Sequence, residues 1–313
     1  GGGRFHLGDI GSDLKLTAYR ESGGHIRFLL AVGGDAATAR RVAILEDDRL
    51  VELLYDRPDQ RRSLGDIYLG RVDAVLPGIQ AAFVDIGLEK SAFRHASDLL
   101  EPEEDEDPDE RDDDTDVPDE DALEASNGSA RDKAAPRQRE VDHRSAVPNI
   151  QDLLKKGQTI LVQVTKEPIS TKGSRVTAQI SLPGRFLVYM PYASRIGVSR
   201  KIESREQRSK LREMVRKVLP EDAGGVIVRT VAEGVTEEQV TREVESLLGL
   251  WKKINRKKGF VRAPALVQRE TSLTRGIIRD LFSAKVDALH VDTKELFNEV
   301  EQYLEQVDPD LMT

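Results

Sequence analysis

The sequence contains no cysteine among its 313 residues, which excludes disulfides and thiolate metal sites. This composition fits a reducing cytoplasm. No apolar run approaches the roughly 18 residues that would suggest a membrane span. The first residues also lack the charged head and apolar core of a secretory signal. We therefore expect a cytoplasmic protein without a membrane span.

The acidic balance of the chain comes largely from one segment. The formal net charge is −9, yet residues 99–126 alone hold 16 acidic residues and one basic residue. Without them the chain has 40 acidic and 46 basic residues. Because the remainder is mildly basic, the acidic isoelectric point does not argue against a nucleic-acid partner.

Residues 101–147 form an insert rich in acids, proline, serine and glycine, with few large apolar side chains. Such a segment cannot bury enough surface to offset its ordering entropy, so we expect it to be disordered. Two other interpretations stay open. The insert mimics nucleic acid, or it docks a basic partner and the protein serves as a scaffold.

Outside the insert, strand and helix patterns alternate, which indicates an α+β protein. Residues 1–24 are glycine-rich and receive no assignment. The predicted strands are residues 26–32, 40–47 and 49–56, three strands within 65–99, and residues 159–167, 175–182, 185–190, 224–230, 264–270 and 287–291. The predicted helices are residues 203–218, 237–258 (after a capping box from Thr236 to Gln239), 274–282 and 293–306.

The most informative segment is residues 65–99, where two phenylalanines stand near basic residues. Strand alternation places Phe83 on the face opposite Ala82, Val84 and Ile86, so its ring is predicted to point outward. Phe93 shares its face with Ser91 and His95, so it too can be exposed. Rings on a strand surface stack nucleic-acid bases for about 1–3 kcal/mol each, whatever the sequence. The alternative is that one of the two rings packs on a neighbouring domain.

The string GDIYLGRVDAVLPGIQAAFVDIG in this segment resembles the S1 RNA-binding domain, a five-stranded OB-fold barrel. With EKSAFRHASDL after it, the segment more closely resembles the S1 domain of the ribonuclease E/G family. That family usually has Gly-Phe-Leu-His where this chain has residues 92–95, so Arg94 adds a charge. Further similar blocks follow in order, including PNIQDLLKKGQ and ISLPGRFLVYMP, and the resemblance extends from about Arg27 to the C-terminus.

The resemblance implies an RNase H-like subdomain interrupted by an S1 (OB-fold) barrel and a 5′-sensor subdomain. The implied boundaries are residues 25–62 and 276–313 for the two RNase H-like parts, 63–180 for the barrel with its insert, and 181–275 for the 5′-sensor. The implied function is the RNA-binding part of a single-strand-specific endoribonuclease. Such enzymes act in the processing and decay of rRNA, tRNA and mRNA and sense the 5′-monophosphate of single-stranded RNA.

The family's site residues carry over where the motifs match. GGVIVRT is similar to the 5′-sensor motif, so Arg229 and Thr230 are expected to hold the phosphate, with Gly184 and Val188 lining the pocket. A guanidinium and a hydroxyl suit that ligand, although an arginine considered alone is more often a surface residue. Lys172 is expected to contact the RNA backbone beside the two rings. Arg200 is a further expected ligand for phosphate.

A basic cluster ends the helix predicted over residues 237–258. It comprises Lys252, Lys253, Arg256, Lys257 and Lys258. Favourable interaction with the helix dipole is the preferred interpretation, and contact with RNA is the alternative.

No carboxylates converge in the pattern needed for a metal-dependent nuclease. Asp287, Asp292 and Glu295 are spaced as at a helix start, and the five histidines are scattered. The resemblance implies a DNase I-like domain that binds Mg²⁺ and a zinc link that joins protomers, both downstream of this chain. We therefore expect RNA binding without cleavage, and oligomerisation only through the missing part. The alternative is a stand-alone S1-type RNA-binding protein without nuclease activity.

Overall fold

A computed structural model describes residues 5–10, 13–18, 26–32, 40–56, 62–96, 149–169, 172–282 and 286–309. The predicted disorder of the acidic insert lies outside the described residues. The described strands form three sheets. They are β1 Phe5–Ile10, β2 Asp13–Ala18, β3 Ile26–Val32, β4 Arg40–Glu46, β5 Arg49–Asp56, β6 Ile67–Leu76, β7 Ala81–Asp85, β8 Ala92–His95, β9 Thr159–Lys166, β10 Arg175–Thr177, β11 Leu182–Pro183, β12 Leu187–Met190, β13 Ile196–Val198, β14 Gly225–Val228, β15 Ala265–Gln268 and β16 Val286–Val291. The α-helices are α1 Ile150–Leu153, α2 Arg205–Val218, α3 Glu237–Phe260, α4 Leu273–Leu281 and α5 Lys294–Val307.

The first sheet joins the two ends of the chain. Its strand order is β1-β2-β16-β3-β4-β5, with β16 parallel to β3 and the other pairs antiparallel. One core holds apolar residues of β4, α4, β16 and α5. Strands β3 to β5 were predicted and are confirmed, whereas the hairpin of β1 and β2 lies in the residues that received no assignment. The described residues between β5 and α4 are therefore inserted into one packed unit.

The second sheet closes into a five-stranded barrel. The order β6-β7-β8-β10-β9 returns to β6, and β15 adds to the edge of β6. The interior contains the alternate apolar residues that the sequence pattern predicted, among them Val84, Ile86, Val162 and Val164. Helix α1 closes one end, because its buried Ile150 packs with Val72, Ala82 and Ala96. The mixed α+β class and an OB-like barrel are thus confirmed.

The third sheet has the order β11-β12-β14-β13 and packs against α2 and α3. Its core continues onto the outside of the barrel, where it includes Ile67, Leu69 and Leu161. This explains why β9 is buried on both faces. Helix α3 begins with the predicted capping box, in which Thr236 and Gln239 each bond the backbone of the other.

One predicted strand, residues 175–182, is broken in the structure into β10 and β11. The chain leaves the barrel between them, and Ile180 is buried in the core of the third sheet. The side chain of Gln163 fixes this crossing, since it accepts from the N–H of Ser181 and donates to the Ser181 carbonyl oxygen. Alternation alone could not reveal where a strand passes from one sheet to the next.

Candidate nucleic-acid interface

Two phenylalanine rings lie side by side on the outside of the barrel. Phe83 of β7 and Phe93 of β8 are directly opposite residues in the antiparallel ladder. Their ring centroids are 6.0 Å apart, with the planes at 66°. Both side chains are half-buried, while Ala82 and Val84 beside Phe83 are fully buried. The predicted outward direction of Phe83 is therefore confirmed, Phe93 lies on the same face, and each ring is fixed by an edge contact with the other.

Arg94 does not add to this surface. It lies between the outward-facing Phe93 and His95, so strand alternation turns it inward, and it is 1% exposed. The charge at this departure from the family pattern is thus inside the barrel and away from the rings.

Lys172 is exposed, forms an isolated bridge with Ile169, and precedes residues that are held against the start of β8. Its N–H donates to the carbonyl oxygen of Ile169 at 3.0 Å. The next residue, Gly173, approaches β8 so closely that an added Cβ would lie 2.2 Å from the carbonyl oxygen of Ser91. The N–H of Phe93 donates to the carbonyl oxygen of Ser174 at 2.7 Å. These contacts bring the two residues that follow Lys172 against the strand of Phe93, and the contact of Lys172 with RNA stays a prediction.

The predicted phosphate ligand Arg229 follows β14 and is half-buried. Its Nη1 donates to the carbonyl oxygen of Gly184 at 2.7 Å and lies 2.7 Å from Oδ1 of Asp280. Arg279 binds the same carboxylate through two nitrogens. Burial would raise the pKa of Asp280, but the hydrogen bonds and charges of Arg279 and Arg229 outweigh it and hold the pKa below its usual value. The arginine expected to bind phosphate is thus ion-paired with a carboxylate.

The other predicted pocket residues lie near Arg229. The hydroxyl of Thr230 is exposed and lies 3.1 Å from the hydroxyl of Ser199, which directly precedes Arg200. Val188 is half-buried in β12 and pairs with Ile227 of β14. The structure therefore brings Gly184 into contact with Arg229, and Ser199, the residue before Arg200, into contact with Thr230. Phe83, Phe93 and Lys172 form a separate group on the barrel.

Two residues that support this site escaped the sequence analysis. Glu243 of α3 accepts hydrogen bonds from the backbone N–H groups of Arg185 and Phe186. Burial raises the pKa of Glu243 to about 7, despite these bonds. Arg185 is buried and binds Asp308 at 3.0 Å. Arg185 and Glu243 each have partners that are distant in the sequence. No local sequence pattern therefore identifies these two residues.

The loop from Gly184 to Phe186 lies where three units of the protein meet. Beside it is a cavity of about 500 Å³, bounded by Gln163 of the barrel, Gly184 and Glu243 of the third-sheet unit, and Tyr303 of α5. Arg185 extends from this loop to the carbonyl oxygens of Ile278 and Phe282. The segment that carries Gly184 is therefore held by α3 on one side and by α4 on the other.

Within the described residues, no group of three or more His, Cys, Asp and Glu side chains could hold a metal ion. The acids considered in the sequence have other positions: Asp287 is buried in β16, and Glu295 lies in the first turn of α5. We therefore assign no residue here to Mg²⁺ or zinc. No helix in the described part of the chain is long and apolar enough to cross a membrane.

Comparison with known proteins identifies a family and several related sequences. The model of the Ribonuclease E/G family matches residues 181–313. Ribonuclease G of Haemophilus influenzae is 36% identical over 271 residues, which is 87% of this chain and 49% of that protein. The chain belongs to the ribonuclease E/G family.

Further relatives are similar over the same extent. Ribonuclease G of Escherichia coli is 35% identical over 271 residues, 87% of this chain and 49% of its own. Ribonuclease E of a Nostoc species is 36% identical over 265 residues, 84% of this chain and 32% of its own. The chain thus spans about half the length of its ribonuclease G relatives and about a third of this ribonuclease E.

Proposed function

We propose that this member of the ribonuclease E/G family binds single-stranded RNA and senses a 5′-monophosphate, as the RNA-recognition part of an endoribonuclease of RNA processing and decay. The observation that carries the proposal is the pair of outward-facing rings, Phe83 and Phe93, on a closed barrel. Such a pair suits base stacking without sequence preference. In this proposal Lys172, beside the rings, contacts the RNA backbone.

The second contact is the 5′-phosphate, which we assign to Arg229 and Thr230. The guanidinium is aimed by the Gly184 carbonyl, and the exposed Thr230 hydroxyl can donate to a phosphate oxygen while Ser199 orients it. A terminal phosphate competes with Asp280 for Arg229. A terminal phosphate carries more negative charge and more acceptor oxygens than a carboxylate. It can therefore accept two hydrogen bonds from the guanidinium at once. In this proposal Arg200 is a further ligand for phosphate, and Val188 lines the same pocket.

The topology also supports the proposed division of the chain. Residues 25–62 and 276–313 contribute to one sheet and one core, as expected of an RNase H-like subdomain interrupted by two modules. The third sheet with α2 and α3 corresponds to the proposed 5′-sensor. We further propose that this polypeptide binds RNA without cleaving it, and that Mg²⁺ chemistry, zinc and oligomerisation belong to the remainder of the family's length. Mg²⁺-dependent cleavage of a single-stranded RNA by the purified chain would overturn that part.

The decisive measurement compares the affinity of 5′-phosphate and 5′-hydroxyl RNA of the same sequence, for the wild type and Arg229→Ala. We expect the wild type to prefer the phosphorylated RNA and the variant to lose that preference while it still binds 5′-hydroxyl RNA. Equal affinity in all four combinations removes the sensor assignment. RNA binding that is absent from both proteins removes the proposal as a whole.

A further inference from the structure

The last turns of α3 carry a solvent-facing stripe outside the two proposed contacts. The α3 stripe comprises Lys252, Lys253, Arg256, Lys257 and Phe260, all exposed. At about 100° per residue, these five lie within roughly 140° of the helix circumference. The buried residues of α3 are centred on the opposite side; they are Val240, Val244, Leu247 and Ile254. The stripe therefore points into solvent.

Phe260 is the most informative member of the stripe. Its side chain is 84% exposed, the largest exposed fraction among the large apolar residues of the described chain. Burial of a phenylalanine contributes about 1.5–3 kcal/mol, which this residue forgoes. On the helix circumference it lies between Arg256 and Lys253. An exposed ring among cations is the arrangement with which proteins stack a base and neutralise the adjoining phosphates.

The helix dipole does not account for the stripe. Its effect is confined to the last turn, so it favours Lys257 but not Lys252 or Lys253, which lie further back. Two pairs of like charges stand four residues apart, Lys252 with Arg256 and Lys253 with Lys257, and such pairs destabilise a helix. Residues 246–269 hold seven basic residues and no acid. The cations are thus accumulated at a cost to the helix, which favours a role in binding an anion.

Direct contacts join the segment that follows α3, at Ala263 and Pro264, to the barrel strands β6 and β7. Nη2 of Arg71, in β6, donates to the carbonyl oxygen of Ala263 at 2.6 Å. A Cβ on Gly87, which follows β7, would lie 3.6 Å from the Cβ of Pro264. Strand β7 is the strand of Phe83. A nucleic-acid strand that leaves the rings across β6 and β7 therefore meets the end of α3.

We propose that the α3 stripe is a further contact surface for single-stranded RNA, continuous with the barrel. The four cations bind successive phosphates of the strand, and Phe260 stacks on a base. The inference rests on the proposed function, because the rings of the barrel must hold the same strand.

The test uses 5′-hydroxyl oligouridine of two lengths, about 5 and about 15 nucleotides, which span the range bound by a single barrel of this type. The variant Lys253→Gln/Arg256→Gln/Lys257→Gln removes three charges from the stripe. A matched control, Lys210→Gln/Arg216→Gln/Lys217→Gln, removes three exposed cations from α2. Phe83→Ala serves as the reference for the barrel, and Phe260→Ala tests the ring. Circular dichroism checks that each variant is folded.

We expect the stripe variant to bind the longer RNA roughly tenfold more weakly than the wild type. The slope of log affinity against log salt concentration should also fall in magnitude by about 2, because each of the three lost phosphate contacts removes about 0.7 from that slope. Phe260→Ala should weaken binding of the longer RNA at least about fivefold, which is the lower limit for the loss of one stacked base. The short RNA should be unaffected by either change.

Three results would overturn the inference. If the stripe variant binds the longer RNA like the wild type while Phe83→Ala weakens both lengths, the stripe does not bind RNA and the proposed function survives. If the α2 control loses as much affinity for the longer RNA as the stripe variant, the loss comes from the net charge of the protein and not from a binding surface on α3. If the wild type binds neither RNA, the proposed function fails first and the inference with it.

Discussion

Nη1 of Arg229 lies 2.7 Å from Oδ1 of Asp280, and the same nitrogen donates to the carbonyl oxygen of Gly184. One oxygen of Asp280 thus faces the guanidinium proposed to hold the RNA phosphate, while Arg279 also binds this carboxylate. A carboxylate in this position keeps Arg229 in place before RNA arrives. It also opposes a second anion at the same guanidinium.

The variant Asp280→Asn should therefore raise the affinity for 5′-phosphate RNA. The amide oxygen still accepts from Arg229, so the guanidinium keeps its direction, while the negative charge that repels the phosphate is lost. We expect a several-fold gain for 5′-phosphate RNA and little change for 5′-hydroxyl RNA, measured by fluorescence anisotropy. Asp222→Asn makes the same chemical change at an exposed position and serves as the control. A loss of affinity for 5′-phosphate RNA in Asp280→Asn would mean that the charge itself is needed to position Arg229.

Gly184→Ala should destabilise the protein by about 1–3 kcal/mol, the usual cost of overpacking. An added Cβ would lie 2.7 Å from Oε1 of Glu243 and 3.0 Å from the carbonyl oxygen of Leu187, so the loop must move. Gly249→Ala is the control, since nothing lies within 4 Å of its added Cβ and alanine favours the helix by up to about 1 kcal/mol. Urea unfolding of the two variants should give changes of opposite sign. Equal stability of Gly184→Ala and the wild type would contradict the close approach.

Phe83→Ala should weaken the binding of 5′-phosphate and 5′-hydroxyl RNA alike, by about 1–3 kcal/mol for the loss of one base stacked on the ring. The ring lies on the barrel, on a different sheet from Arg229, so the preference for a phosphate should be retained. Leu50→Ala removes an exposed apolar side chain, 60% exposed on β5 of the first sheet, and should leave RNA binding unchanged. The measurement is the affinity for both RNAs, with thermal unfolding as a check of the fold. If the variant instead loses only its preference for 5′-phosphate RNA, the ring acts at the phosphate contact and not as a stacking surface on the barrel.

Local patterns in the sequence predicted most of the described fold. Alternation gave the barrel strands and the outward direction of Phe83, because a strand with one buried face has period two. The capping box marked the start of α3. The strands β1 and β2 were missed, since glycine-rich residues around them weaken the pattern.

The candidate site was less accessible to sequence reasoning. The motif carrying Arg229 was identified from family resemblance, but its partner Asp280 is 51 positions away and belongs to a different unit. Glu243 and Arg185 are typical surface residue types, and only tertiary packing buries them. Ion pairs and buried polar contacts between distant elements leave no periodic signal, so the electrostatics of the site required the structure.

Glu243 makes stability depend on pH near neutrality. Its pKa is about 7 in the folded protein and about 4.5 otherwise, because burial disfavours the charged form. The folded protein therefore keeps a proton that the unfolded chain has lost. Its contribution to stability is fully present below pH 4.5, falls as the pH rises, and is lost above about pH 7. The upper limit of this change is about 3 kcal/mol, from 1.36 kcal/mol per pKa unit.

The variant Glu243→Gln should remove this dependence. Its amide oxygen still accepts from the N–H groups of Arg185 and Phe186, but no proton is exchanged. Urea unfolding at pH 5, 6, 7 and 8 should show the wild type losing stability relative to the variant between pH 5 and pH 7, with the difference then constant. Glu245→Gln, an exposed change in the same helix, should follow the wild type. If the wild type and Glu243→Gln instead change in parallel over this range, the carboxylate is already ionised at pH 5. The hydrogen bonds from the N–H groups of Arg185 and Phe186 would then outweigh the burial of its charge.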